Sequence, residues 1–109
     1  MSADDSEARV LDAIRAIPRG QSLSYGQVAE RAGLPRRARF VARVLRDNDD
    51  PELPWHRVTG AGGRIAIPDA SPSHDEQIRR LRAEGHEVVN GRLRPSAAQR
   101  RRAELPLLP

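Results

Sequence analysis

Residues 54–58 read Pro-Trp-His-Arg-Val and hold the only Trp of the chain, beside a His and an Arg. Pro51 and Pro54 stiffen the backbone before Trp55, and the glycine-rich residues 60–63 let it turn away afterwards. A large ring beside an imidazole on a fixed loop could line a pocket for a planar ligand. From these residues alone, the alternative is a Trp that anchors a small hydrophobic core.

The composition bounds the size of the protein and the partners it suits. At 109 residues the chain has room for one domain, and its core must be mainly aliphatic because only 3% of residues are aromatic. All 19 basic residues are Arg, and the formal net charge is +4. Guanidinium groups bind phosphates and stack on bases, so this bias suits nucleic acid, although a genome-wide codon preference would also produce it.

The absence of Cys removes several kinds of chemistry. Without a thiol the chain forms no disulfide, no thiolate metal site and no Cys nucleophile. His56, His74 and His86 lack the spacing of metal ligands, so we expect neither a metal nor another cofactor. The N-terminus lacks an apolar signal segment, and no apolar run approaches the ~20 residues of a membrane helix. We therefore expect a cytoplasmic protein with no membrane contact.

Hydrophobic spacing predicts three helices in the first half of the chain. Apolar residues recur at helical intervals over residues 5–16. Ser24 and Gln27 have the form of a capping box, which predicts a short helix ending near Ala32. After a Gly-Leu-Pro break, a third helix is predicted over residues 36–46.

The third helix is predicted to have two chemically different faces. Ala38, Val41 and Leu45 share the inner face, with Val44 at its edge. The opposite side carries a stripe of arginines that repel one another unless an anion lies nearby: Arg36, Arg39, Arg43 and Arg46. A short helix, a Gly-containing turn and a helix with a cationic outer face are typical of a DNA-binding helix-turn-helix. The alternative is a charged face that is only solvated.

The second half of the chain is predicted to hold a helix and two small hairpins. The acidic loop over residues 47–54 is not expected to be helical, and residues 56–58 could pair with residues 64–66 across the glycine-rich turn. A second capping box at residues 73–76 predicts a helix that ends at Gly85.

The last part of the chain contains a predicted hairpin followed by a predicted tail. An Asn-Gly pair between apolar residues predicts a tight hairpin over residues 88–93, which would serve as a wing or as a cover for the core. We expect residues 1–94 to form the DNA-binding domain. Residues 95–109, with their run of arginines and a Pro-Leu-Leu-Pro end, are expected to form a mobile tail.

Several motifs in this order resemble the C-terminal, DNA-binding domain of the O6-alkylguanine-DNA alkyltransferase family. The matching positions are residues 17–20, 24–26, 33–35, 38–41, 54–58 and 84–85, with Asn48 and Leu81. The active enzymes carry Pro-Cys-His-Arg-Val, and this chain has Trp55 at the Cys position. This substitution resembles the alkyltransferase-like proteins, noncatalytic relatives that bind alkylated DNA and recruit other repair proteins.

The resemblance implies a mainly α fold with small β-hairpins, organised as a winged-helix-like helix-turn-helix. It implies a monomeric sensor, not an enzyme, that docks in the minor groove of double-stranded DNA and flips O6-alkylguanine into a pocket. The lesion would then be flagged for a pathway such as nucleotide excision repair, in the cytoplasm or on a bacterial nucleoid.

The resemblance also implies roles for individual residues. Arg39 matches the finger residue that fills the space left by the flipped base, and Tyr25 matches the residue that packs against the flipped nucleotide. Trp55 would wall the pocket and give the base an apolar surface. Arg36 and Arg43 of the arginine stripe are expected to join Arg39 in binding DNA.

Four further residues are interpreted as structural. His56 and Glu84 match the proton relay of the enzymes, in which Glu orients His and His activates the thiol. Without the thiol this pair is not a catalyst. Arg57 belongs to the same turn, and Asn48 is expected to brace the turn beneath the pocket.

The chain departs from the family around the pocket. Ala42 replaces the usual Gly of the third helix, and residues 66–68 read Ala-Ile-Pro where the enzymes have a Gly-Tyr pair. Pro68 stands where some alkyltransferase-like proteins place an Arg that probes the base, next to Ile67 in the same lid. The resemblance therefore leaves the lid and the preferred alkyl group open.

Two other functions also stay open at this point. A small winged-helix regulator of undamaged DNA would explain the arginine stripe, but it would leave Tyr25, Trp55 and His56 without a role. An active alkyltransferase would need a thiolate, and the chain has no Cys to supply it.

Overall fold

The computed structural model describes residues 3–94, in which helices are connected by short strands and turns. The helices are α1 (Ala3–Arg15), α2 (Tyr25–Arg31), α3 (Ala38–Arg46) and α4 (Pro72–Ala83). The strands are β1 (Leu23–Ser24), β2 (Val58–Thr59), β3 (Val88–Val89) and β4 (Arg92–Leu93), with single 3-10 turns at Trp55–Arg57 and Ala61–Gly63. The predicted mainly α class is confirmed. The predicted tail lies outside the described residues.

The main core lies among α1, α2, α3 and the β1–β2 pair. It is aliphatic, as the scarcity of aromatic residues predicts, and its buried side chains include Val10, Ile14, Val28, Ala29, Val41, Leu53 and Val58. A smaller cluster lies between α4 and the β3–β4 hairpin and contains Ile65, Leu81, Val88 and Leu93. Within residues 3–94 no helix is long and apolar enough to cross a membrane.

α2 and α3 form the predicted helix-turn-helix. The hydroxyl of Ser24 accepts a hydrogen bond from the backbone N–H of Gln27 at 3.2 Å, and the Gln27 side chain accepts one from the N–H of Ser24 at 2.9 Å, which confirms this capping box. Gly33 has a φ of +78° and turns the chain after α2. Arg9 of α1 donates to the carbonyls of Ala32 (2.9 Å) and Gly33 (3.2 Å), so it fixes the turn between the two helices.

α3 begins later than the predicted helix over residues 36–46. Arg36 has a φ of +68°, in the left-handed region, and Arg37 is a non-helical N-cap. The N–H of Arg37 donates to the carbonyl of Leu34 at 3.2 Å, so residues 34–37 form a turn that redirects the chain into α3. The prediction was therefore wrong to place Arg36 on the same helical face as the other arginines.

The inner face of α3 is also centred differently from the prediction. Val41 and Val44 are the buried side chains of this helix. Ala38 and Leu45 are only half-buried. The later start of α3 explains part of this difference, because Ala38 is its first residue and lies at the edge of the core.

The predicted hairpin between residues 56–58 and 64–66 does not form. β2 pairs in parallel with β1 instead, with Val58 opposite Leu23. Both side chains are buried in the main core. This non-local pairing removes the apolar surface of Leu23 and Val58 from water, which stabilises it.

The predicted hairpin over residues 88–93 does form. β3 and β4 pair in antiparallel fashion, with Val88 opposite Leu93. Asn90 and Gly91 have φ values of +53° and +72°, as a two-residue turn of the Asn-Gly type requires. The hairpin covers the smaller core cluster through the buried Val88 and Leu93.

The N-cap of α4 lies two residues earlier than the sequence predicted. Ser71, not Ser73, is the N-cap, and its hydroxyl accepts a hydrogen bond from the N–H of Ser73 at 3.2 Å. Pro72 occupies the first helical position, where its fixed φ and missing N–H are favourable, and this explains the earlier start. The helix ends before Gly85, whose φ of +94° allows the chain to turn there.

Candidate nucleic-acid interface

A cavity of about 630 Å³ lies beside residues 54–58. Tyr25, the first residue of α2, lines it together with Asn48, Trp55 and Gln77. Sites that hold drug-sized molecules have volumes of about 300–1,000 Å³, so this cavity is large enough for a purine with a substituent. Tyr25 and Trp55, which the sequence predicted to contact the extruded nucleotide, thus share one cavity wall with Asn48, which was predicted only as a structural residue beneath the pocket.

The indole of Trp55 is half-buried and forms part of the cavity wall. Its ring stands edge-on to the imidazole of His56, with centroids 6.2 Å apart and planes at 88°. The N–H of Trp55 donates to the carbonyl of Leu53 at 2.7 Å, and the Leu53 side chain is buried in the main core. The backbone that carries the indole is thus anchored to the hydrophobic interior while the ring itself faces the cavity.

Glu84 holds the turn that carries Trp55. Oε2 of Glu84 lies 2.8 Å from Nε2 of His56 and accepts a hydrogen bond from Nη2 of Arg57 at 2.8 Å. Oε1 accepts one from the N–H of Gly20 at 3.2 Å. Burial raises the pKa of Glu84, but hydrogen bonds from Arg57, His56 and Gly20 outweigh burial and lower the pKa to about 2. The carboxylate is therefore ionised at neutral pH and fully engaged.

Arg57 extends this network to the end of α1. Its Nη1 donates to the carbonyl of Ile17 at 2.9 Å, while Nε and Nη2 bind Glu84. The turn at residues 55–57 is therefore attached both to the segment after α1 and to the end of α4. Nδ1 of His56 makes no hydrogen bond within the described part of the chain, so the network of Glu84 and Arg57 ends at this imidazole.

Gln77 was missed by sequence reasoning. It is 2% exposed, and its Nε2 donates to the carbonyls of His56 (3.1 Å) and Val58 (2.8 Å). The side chain thus fixes the end of the 3-10 turn and the start of β2. Its partners are backbone carbonyls far away in sequence and give no sequence signal, although Gln77 lies one turn before Leu81 on the buried side of α4.

Two loops complete the wall of the cavity. Asn48 donates to the carbonyl of Asp50 and accepts from its N–H, both at 3.1 Å, which fixes the loop after α3. His74 of α4 donates from Nδ1 to the carbonyl of Ile67 at 2.8 Å, beside Pro68. The loop after α3 is therefore held by Asn48, and the segment at Ile67 is held by His74.

α3 borders the cavity along one edge and exposes arginines beside that edge, and Arg46 of the predicted arginine stripe is part of the cavity lining. Ala42, Leu45 and Arg46 line the cavity. Arg39 and Arg43 are exposed, and no carboxylate of the described residues lies within 4.0 Å of either guanidinium. The same helix can thus bind a polyanion and border a space for one of its bases.

Two arginines at α3 lie over the ring of Phe40. The guanidinium carbons of Arg37 and Arg43 lie 4.8 Å and 5.5 Å from the ring centroid of Phe40. Arg36 is exposed in the turn that precedes the helix. Of the predicted DNA- and lesion-binding residues, Tyr25 and Trp55 line the cavity, whereas Arg36, Arg39 and Arg43 do not.

The described residues offer little to a metal ion. Between residues 3 and 94 no group of three or more His, Asp and Glu side chains is arranged to hold one. The buried imidazoles have other surroundings: His56 contacts Glu84, and His74 contacts Ile67. Burial lowers the pKa of His86.

Comparison with known proteins identifies the family. Residues 5–86 match the model of the DNA-binding domain of 6-O-methylguanine DNA methyltransferases. Alkyltransferase-like protein 1 of Schizosaccharomyces pombe is 35% identical over 89 residues, which cover 81% of this chain and 82% of that protein. The chain belongs to the alkyltransferase-like proteins of this family. The resemblance inferred from the motifs around Trp55 is confirmed.

Other relatives include a base-flipping protein, a DNA-bound structure and a methyltransferase of the same family. The DNA base-flipping protein of Escherichia coli is 42% identical over 87 residues, covering 78% of this chain and 66% of that protein. The crystal structure of S. pombe Atl1 in complex with damaged DNA containing O6-carboxymethylguanine aligns with a TM-score of 0.77 at 31% identity, covering 90% of this chain and 94% of that one. The O6-methylguanine methyltransferase of Mycobacterium tuberculosis aligns with a TM-score of 0.63 at 32% identity, and the match covers 47% of that enzyme.

Proposed function

We propose that this alkyltransferase-like protein binds double-stranded DNA at O6-alkylguanine, turns the damaged base into the cavity beside Trp55 and holds it there unchanged. The observation that carries this proposal is the position of Trp55. It stands where the enzymes of the family carry their reactive Cys, and its half-buried ring lines a cavity of about 630 Å³. Two relatives support the same function: the DNA base-flipping protein of E. coli, by its name, and S. pombe Atl1, by its crystal structure with damaged DNA.

The exposed side of α3 supplies the contact with duplex DNA. Arg39 and Arg43 are exposed there, and Arg36 precedes the helix. Guanidinium groups that neutralise phosphates provide affinity for any duplex, and this affinity falls as the salt concentration rises because the release of counterions from DNA then becomes less favourable. Arg39 has the further role of entering the base stack and filling the space that the extruded guanine leaves. Docking occurs in the minor groove.

The cavity supplies the selectivity for damage. Extruding a base costs a few kcal/mol, and less when a lesion already weakens pairing. Stacking against an aromatic ring returns about 1–3 kcal/mol per base, and Trp55 provides that ring. Tyr25, at the start of α2, belongs to the same cavity wall and packs against the extruded nucleotide. A well-paired guanine loses more on extrusion and gains no alkyl contact.

The alkyl group stays on the base because the chain lacks the thiol that would accept it. Transfer requires a nucleophile, and the sequence contains no Cys. The carboxylate of Glu84 and the imidazole of His56 are committed to each other and to Arg57. These three residues act as the support of the Trp55 turn. A duplex carrying labelled O6-methylguanine is therefore expected to leave no label on the protein.

Binding without repair leaves the lesion for other proteins. The bound complex, with its base extruded, marks the site for an excision pathway such as nucleotide excision repair. A monomer suffices for this role because the helix-turn-helix and the cavity are contributed by one chain. The protein acts in the cytoplasm or on the nucleoid, where it meets DNA.

The proposal is tested by affinity for one duplex with and without a single O6-methylguanine, at a stated salt concentration. Tighter binding of the modified duplex is expected, since only that base gains contacts in the cavity. Equal affinity would defeat the proposal. Selection of bound sequences from random undamaged duplexes tests the alternative function. A strong consensus sequence would favour a winged-helix regulator that reads undamaged DNA.

A further inference from the structure

One face of the Trp55 indole is covered by a cation from α4. The guanidinium carbon of Arg80 lies 5.4 Å from the centroid of the indole ring. This distance is within the range in which a cation is attracted to the electron-rich face of an aromatic ring. Arg80 does not itself line the cavity, whereas Trp55 does. The guanidinium therefore contacts the indole from outside the space that would receive a base.

Glu76 fixes the guanidinium over the ring. Nε of Arg80 donates to Oε2 of Glu76 at 2.6 Å, one helical turn earlier on α4. Arg79 binds the other carboxylate oxygen of Glu76. Hydrogen bonds from Arg80 and then from Arg79 lower the pKa of Glu76, so it is ionised at neutral pH. The charge of Arg80 is thus balanced locally, and Nε of its guanidinium is held by Glu76.

We propose that Arg80 is a positioning residue that sets the angle at which Trp55 presents its ring to an extruded base. This inference rests on the proposed function, because it gives Arg80 an effect on lesion selectivity through the indole. An indole that is free on both faces would rotate within the cavity wall. With one face held by Arg80, the ring is already oriented when the base arrives, and less freedom is lost on binding.

The chain provides a matched control for this role. Arg79 and Arg80 are neighbours on α4, carry the same charge and bind the same carboxylate of Glu76. Of the two, the contact with the Trp55 ring belongs to Arg80. Removing either guanidinium changes the net charge equally, so a general electrostatic effect on DNA binding should be similar in both variants. An effect transmitted through the indole should be confined to Arg80.

The test compares Arg80→Ala with Arg79→Ala in the full chain. Two quantities are measured: the emission spectrum of the free protein, and the ratio of affinities for a duplex with and without O6-methylguanine. Arg80→Ala is expected to shift the emission and to lower the affinity ratio roughly two- to fivefold, the size of an exposed cation–π contact. Arg79→Ala should leave both unchanged. Arg80→Lys, which keeps a cation near the ring, should recover part of the ratio.

The outcomes separate this inference from the proposed function. If the unaltered protein prefers the modified duplex and Arg80→Ala keeps both its emission and its affinity ratio, the role of Arg80 is wrong and the sensor function stands. Equal changes in the two Ala variants would also overturn it, because they would indicate charge alone. If the unaltered protein shows no preference, the sensor function fails and the role of Arg80 fails with it. Circular dichroism confirms that each variant is folded.

Discussion

Nε2 of His56 lies 2.8 Å from Oε2 of Glu84, although the residue before His56 is a Trp and not a Cys. The family resemblance implies that the matching pair in the enzymes activates a thiol. Here the same carboxylate also binds Arg57, whose Nη1 reaches the carbonyl of Ile17. The pair therefore has a structural use that does not depend on catalysis: it holds the turn that carries Trp55 between two helix ends.

Replacing Glu84 should weaken the fold. Glu84→Gln leaves the guanidinium of Arg57 partly buried without its carboxylate, and the loss of a partner from a buried ion pair is strongly destabilising. We expect the free energy of unfolding in urea to fall by about 2–4 kcal/mol. Glu87→Gln is the control, since Glu87 is exposed and lies 3.8 Å from Arg94. A loss as small for Glu84→Gln as for Glu87→Gln would contradict the structural role.

Stability should also depend on pH through Glu84. Its pKa in the folded protein is lowered to about 2, whereas the ordinary value is 4.5. A lowered folded-state pKa means that the unfolded chain binds the proton more readily, so the contribution of Glu84 is present above about pH 4.5 and is lost as pH falls towards 2. The urea midpoint of the unaltered protein should fall more steeply across this window than that of Glu84→Gln. Parallel curves would contradict the assignment.

Gln77 should matter both for stability and for the indole. Gln77→Leu keeps a similar volume but leaves the carbonyls of His56 and Val58 without their donor, which costs about 1–3 kcal/mol for a buried polar group. Because these carbonyls flank the turn that carries Trp55, the emission of the free protein should change as well. Gln21→Leu, at an exposed position, should change neither quantity. An unaltered emission in Gln77→Leu would show that Gln77 does not fix the indole.

The sequence predicts the elements whose cause is local and fails where the cause is distant. The Ser24–Gln27 capping box and the hairpin at residues 88–93 depend on neighbouring residues, and both form as predicted. The β1–β2 pair joins Leu23 to Val58, which no local pattern indicates. At the start of α4 two local signals competed, and the Ser71-Pro72 signal prevailed over the capping box at residues 73–76.

The same distinction applies to the site. Trp55 is indicated by its residue type and neighbours as well as by the family motif, Tyr25 is indicated by the motif alone, and the structure places both in one cavity wall. The contacts of Glu84 with His56 and Arg57, and those of Gln77 with His56 and Val58, join segments on different elements. Buried polar partners of this kind depend on tertiary packing, so Gln77 and the Arg80–Trp55 contact could be found only in three dimensions.

The two exposed arginines of α3 should differ in their effects on DNA binding. Arg39→Ala should remove most of the preference for a duplex with O6-methylguanine, because nothing then fills the space of the extruded base. Arg43→Ala should weaken binding to modified and unmodified duplexes equally and reduce the salt dependence by about one phosphate contact. The measurement is affinity as a function of salt for both duplexes. Identical behaviour of the two variants would remove the special role of Arg39.

The most direct test of the central claim uses the emission of Trp55, which is the only Trp of the chain. The protein is titrated with two duplexes that differ by a single O6-methyl group, at one salt concentration. If the damaged base stacks against the indole, the modified duplex should bind more tightly and change the emission, while the unmodified duplex leaves it nearly unchanged. Tight binding of the modified duplex with no change in emission would contradict the claim that Trp55 receives the base.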